Sequence, residues 1–115
     1  MNVYDSANAL ANELRQCDEV REYARLKEVA EADETNRRLM AEFRKLQMKM
    51  QLQAASGGQA DAEEMQRVQQ IASLLYMNND VQAYMLAEMR LQKLMADIFK
   101  SVTDACGMDM GIPGE

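Results

Sequence analysis

From Asn78 to Cys106 the residues read as one long amphipathic helix whose apolar face is too wide for a single neighbour to cover. Val81, Tyr84, Glu88, Leu91, Met95, Ile98, Val102 and Ala105 follow an alternating spacing of three and four, the spacing that returns a residue to one face of an α-helix. Glu88 alone interrupts the apolar run. Met85, Met89, Ala96, Phe99 and Cys106 form a second stripe beside the first, while Arg90, Lys93, Asp97, Lys100 and Asp104 gather opposite. A helix of this kind calls for cover from two directions. At 1.5 Å per residue a helix of about 25 residues is about 37 Å long, whereas a compact domain of 100 residues has a radius of gyration near 13 Å. The expectation is an elongated all-α antiparallel hairpin or bundle completed by oligomerisation, most simply a twofold dimer.

The rest of the chain supplies shorter helices. Val3, Ala7, Leu10, Leu14 and Cys17 predict an opening helix of about four turns, after which Asp18 is a candidate cap for a weaker second helix through Val20, Tyr23, Ala24, Lys27 and Ala30. Asp33-Glu34-Thr35 is a further start signal before the Leu39, Phe43, Leu46 and Met50 stripe, and it fits either a break or a bend in one long helix. Ser56-Gly57-Gly58-Gln59 is the one clear linker, within residues 56–60. Beyond it Asp61 can cap a helix carrying Met65, Val68, Ala72 and Leu75, and Asn78 can cap the last one. Residues 1–106 are thus expected to form a single helical domain and 107–115, opening on Gly107, a flexible tail. The composition agrees with helices: 48% apolar, dominated by Ala, Leu and Met, with no Trp and one Pro. No apolar run approaches the roughly 18 to 20 residues that span a bilayer, and no signal peptide opens the chain, so a cytoplasmic protein is expected.

Chemistry has little to work with in this chain. There is no His, so the usual general base near neutral pH is missing, and the serines have no base in a recognisable arrangement. No phosphate-binding loop, dinucleotide fingerprint or zinc spacing occurs, and the expectation is a protein that is not an enzyme and takes no cofactor. Cys17 and Cys106 stand far apart without companion ligands and read as buried small apolar residues in the helix stripes, with a disulfide or metal role as the alternative. The eleven methionines admit three uses: core filling by Met40, Met50, Met65, Met85, Met89 and Met95; an adaptable partner surface, with Met48 and Leu86 as the exposed candidates; or copper binding at Met48-x-Met50 or Met108-x-Met110, a weak thioether site. Glu88, with Gln92 one turn on, is a candidate buried polar pair that sets helix register against a neighbouring cation, or else a contact for a partner.

Net charge is −6, but unevenly spread: residues 1–34 hold nine acids and four bases, whereas 35–55 hold Arg37, Arg38, Arg44, Lys45 and Lys49 against Glu42. These bases lie broadly opposite Leu39, Phe43, Leu46 and Met50 and should face solvent, paired with acids or docking an acidic protein. Direct contact with nucleic acid is disfavoured, because no aromatic residue is interleaved with the bases and the remaining charge repels phosphate. The residues assigned to a core or oligomer face are Phe43, Leu46, Met50, Val81, Tyr84, Leu91, Met95, Ile98 and Val102. Arg38, Lys45, Met48 and Lys49 are assigned to a partner surface.

Several pieces of the sequence resemble the YlbF/YmcA family of small helical bacterial regulators. They are Val3-Tyr4-Asp5 with Ala9-Leu10-Ala11, Glu22-Tyr23, Ala32-Asp33, Phe43-Arg44-Lys45-Leu46-Gln47, Asn78-Asn79-Asp80-Val81-Gln82-Ala83-Tyr84 and Ala87-Glu88-Met89-Arg90-Leu91, in order and at family spacing. The resemblance implies helical bundles that associate into dimers or larger assemblies, linked to competence, sporulation and biofilm formation. For some members it implies a complex that adjusts mRNA processing by ribonuclease Y. Partners implied are further copies of the chain, sister family proteins or ribonuclease Y, with no small-molecule substrate and no membrane. Two departures stand out. Glu34 and Asn79 occupy positions where relatives often have Pro, and two isolated cysteines do not reproduce the ligand set of members that join iron-sulfur complexes. A structural or chaperone-like helical assembly is the alternative function.

Overall fold

The computed structural model describes residues 2–59 and 61–108. Five helices follow in order: α1 (Val3–Gln16), α2 (Asp18–Glu31), α3 (Glu34–Ala55), α4 (Ala62–Tyr76) and α5 (Asn79–Cys106), with no strand among the described residues. The all-α class is as expected.

Local polar chemistry sets most helix boundaries. Asn2 caps α1 by accepting the Asp5 amide at 3.0 Å, and Asp33 caps α3 by accepting the Asn36 amide at 3.1 Å. Asp61 accepts the Glu63 amide at 2.9 Å, and Asn78 Oδ1 accepts the Val81 amide at 3.0 Å. Each satisfies one amide that the first helical turn would otherwise leave unpaired. The chain therefore breaks at Asp33 and does not merely bend there. Asp18 departs from expectation: it lies inside the first turn of α2, and the Cys17 carbonyl accepts the Arg21 amide. Gly57 (φ +82°) and Gly107 (φ +68°) end α3 and α5 in the left-handed region that favours glycine. Behind them the amides of Gly58 and Met108 reach back to the carbonyls of Gln53 and Thr103, the pattern of a Schellman stop.

Among the described residues two compact units are distinguished, one within residues 24–85 and one of residues 2–23 with 86–108. In the first, α3 and α4 pack as an antiparallel pair. Two ion pairs fix the register: Glu42 of α3 with Arg67 of α4, then, one to two turns further along α3, Lys49 with Glu64, three residues nearer the start of α4. The fully buried side chains of this unit include Ile71, Leu75 and Val81, with Ala30, Met40 and Tyr84 beside them in burial. Burying each large one contributes roughly 1.5–3 kcal/mol before entropy is counted. The second unit is thinly covered by contrast. α1 has no buried residue at all, and of the large side chains in 86–108 none is buried; the buried residues there are Ala87 and Thr103.

Candidate interaction site

The amphipathic stripe of α5 changes character along its length. Val81 and Tyr84 are buried, Glu88, Leu91 and Ile98 are half-buried, and Met95 and Val102 are 45% and 53% exposed. Phe99 is 46% exposed, so Met95, Phe99 and Val102 form an open stripe spaced four and then three. Cys106 continues it and is exposed; the expected burial is not found, because it sits in the last turn before Gly107. Cys17 is half-buried. Glu88 is not an orphan, since other groups of the chain engage it. Gln92 corrects the expectation of a buried pair: it is exposed and lines, with Tyr23, Glu88, Leu91 and Met95, a groove of about 350 Å³. α1 adds Val3 and Tyr4, each 78% exposed, and half-buried Leu10, Ala11 and Leu14.

On α3 the predicted core stripe of Leu39, Phe43, Leu46 and Met50 is half-buried. The bases assigned to a partner surface divide. Arg38 is bound to Glu34 at 2.9 Å, and Lys49 is bound to Glu64 at 2.7 Å, which holds its ammonium above the ordinary lysine value. Arg67 donates two hydrogen bonds to Glu42, at 2.7 and 2.8 Å, and those bonds hold the carboxyl below the usual range. Lys45 makes no ion pair among the described residues. Arg44 donates to the Tyr84 hydroxyl at 3.1 Å and lies 5.7 Å from the centre of that ring. Met48 is 64% exposed, as its place opposite Leu39 predicts, and Leu52, which sequence reasoning missed, is 66% exposed. Its position one turn beyond Met48 was the available signal.

The methionines also divide differently from expectation. Met40 is buried and Met50 and Met85 are half-buried, but Met65, Met89 and Met95 are exposed, because the apolar arcs are wider than the neighbours in one chain can cover. Among the described residues no group of three or more His, Cys, Asp or Glu is placed to hold a metal ion, and no helix is long and apolar enough to cross a membrane. Of the two methionine pairs considered for copper, Met110 lies outside the described residues.

Five helices among the described residues, with open apolar stripes on α3 and α5, define a small all-α protein. The chain belongs to the YlbF/YmcA family: the family model described as Control of competence regulator ComK, YlbF/YmcA, matches residues 3–106. It is 35% identical to a UPF0342 protein of Clostridium novyi, over 95% of this chain and 96% of that one. It is 32% identical to a UPF0342 protein of Caldicellulosiruptor saccharolyticus, over 90% and 87%. Among solved structures it is similar to a protein of unknown function (DUF964) from Bacillus stearothermophilus, with a TM-score of 0.75, 19% identity and coverage of 91% and 92%.

Proposed function

We propose that this protein is a non-catalytic regulatory interaction module that works as a self-associated helical assembly, with residues 1–106 acting as one functional domain and the rest as a tail. The observation that supports this most is the unit of residues 1–23 and 86–108, where α1 buries nothing and Met95, Phe99 and Val102 stand open. Covering three such half-exposed side chains would contribute roughly 3 kcal/mol per copy, and a twofold arrangement presents the same stripe to itself. Glu88 and Gln92, at the groove beside that stripe, would set the register. Family membership supports the finer reading, in which the assembly joins sister family proteins or ribonuclease Y to adjust mRNA processing, and through it competence, sporulation or biofilm formation.

Sedimentation of the wild type and of Phe99→Glu tests the assembly. The wild type is expected to sediment as a dimer or larger species at micromolar concentration. Phe99→Glu should be monomeric with unchanged helix content, since the replaced ring is already half in solvent. A wild type that stays monomeric at every concentration would refute the assembly.

A further inference from the structure

The outer side of α3 carries a second apolar stripe, independent of the one on α5. Ala41, Met48, Leu52 and Ala55 are all exposed and lie about 180° from the half-buried Leu39, Phe43 and Met50 side at 100° per residue. Cations rim this stripe. Arg37 and Arg44 stand on one border and Lys45 on the other. Near the amino-terminal end a cavity of about 150 Å³ is lined by Met40, Ala41, Arg37 and Arg44, with Tyr84 and Glu31. The Tyr84 hydroxyl and ring hold Arg44 in place there, so one rim cation is ordered before any partner arrives.

What covers this stripe is indicated by charge. From Thr35 to Ala55 the only carboxylate is Glu42, and Arg67 engages it from α4. Glu34 is shared by Arg37 and Arg38 at the start of the helix, and no acid accompanies Lys45, Met48 and Leu52. We infer that this face docks an acidic amphipathic helix of another protein, apolar at spacings of three and four and flanked by Asp or Glu. From Ala41 to Leu52 the stripe runs roughly 16 Å at 1.5 Å per residue, the length over which a helix of three to four turns can lay its ridge. A membrane surface fits less well, because Met48 and Leu52 are the only large apolar groups and the chain carries a net charge of −6. RNA fits less well, because no aromatic side chain lies in the stripe on which a base could stack. The inference rests on the protein being an interaction module, but on a different face from the self-association surface.

The test uses a fluorescent 18-residue peptide, helical, with leucines at spacings of three and four and glutamates flanking them, and the same peptide with lysines for glutamates. Fluorescence anisotropy should show the acidic peptide binding wild type at least tenfold more tightly than the basic one. The double substitution Lys45→Glu with Met48→Glu should weaken it at least tenfold, with the thermal melt unchanged because both residues are exposed. Lys49→Gln should change binding less than twofold. Equal affinity for the two peptides, or indifference to the double substitution, overturns the inference. So does binding of a 20-nucleotide RNA that the double substitution abolishes while the peptide is ignored. Altered sedimentation of the double variant would give the face to a second copy and overturn it as well. Peptide binding retained in a wild type that proves monomeric would refute only the assembly; indifference to peptide in a wild type that Phe99→Glu dissociates would refute only this docking face.

Discussion

Glu42 and Arg67 show how much a single residue pair depends on helix register. That the α3 bases would face solvent was legible from their angular positions, and so was the prospect of pairing with acids. Which acids they meet was not, because Glu64 is contributed by α4 and is brought near only once α3 and α4 pack. The Glu42 carboxyl is held below the ordinary value of 4.5 chiefly by the Arg67 hydrogen bonds. A carboxyl depressed in the folded state binds fewer protons there than in the unfolded chain, so its contribution is complete above the unfolded value and is lost as pH falls through the folded one. We therefore predict that Arg67→Gln lowers the urea midpoint at pH 7 and that the gap from wild type narrows as pH falls below the ordinary carboxyl value. A gap that is the same at pH 3 and pH 7 would assign the loss to packing of the arginine stem. The Lys49 pair has the opposite sense. Its lysine is raised by Glu64, so that stabilisation is present at neutral pH and is lost only as pH climbs past the raised value.

Helix boundaries were legible at most of the places where a short polar side chain preceded an apolar stripe. Asp33, Asp61 and Asn78 all act as caps, and Gly57 and Gly107 are both stops. Asp18 failed as a guide because the preceding helix runs straight up to Cys17, whose carbonyl already serves the next turn. Asn78→Ala should cost about 1 kcal/mol, the usual price of a lost amino-terminal cap, read as a lower urea midpoint with an unchanged slope. At Gly57 a Cβ would meet nothing within 4 Å, so the strain lies in its φ of +82° alone. Gly57→Ala should therefore cost about 1 kcal/mol, and Gly57→Asn less, because asparagine tolerates the left-handed region better. Equal losses in the two variants would point to a packing role for the turn.

For the whole molecule, the fold class and the double apolar face of α5 could be read from spacing, yet the division between core and surface could not. Periodicity says which residues share a face, but not how many neighbours arrive to cover it. That is why Met89, Met95 and Met65 stand exposed although they lie in or beside apolar arcs like the buried Met40. The same exposure makes the thioethers a chemical gauge of cover. Peroxide turns an accessible methionine into a polar sulfoxide, so Met48, Met77 and Met89, at 64%, 81% and 64% exposure, should oxidise well before Met40 at 3%. Peptide mass spectrometry over a time course gives the order, and early oxidation of Met40 would contradict the packing of α3. If the open stripes are occupied inside a cell, Met48 and Met95 should be spared there relative to the purified chain. An oxidative burst would then strike hardest at molecules whose surfaces are still vacant, marking them with new polarity at the very places where they would otherwise adhere.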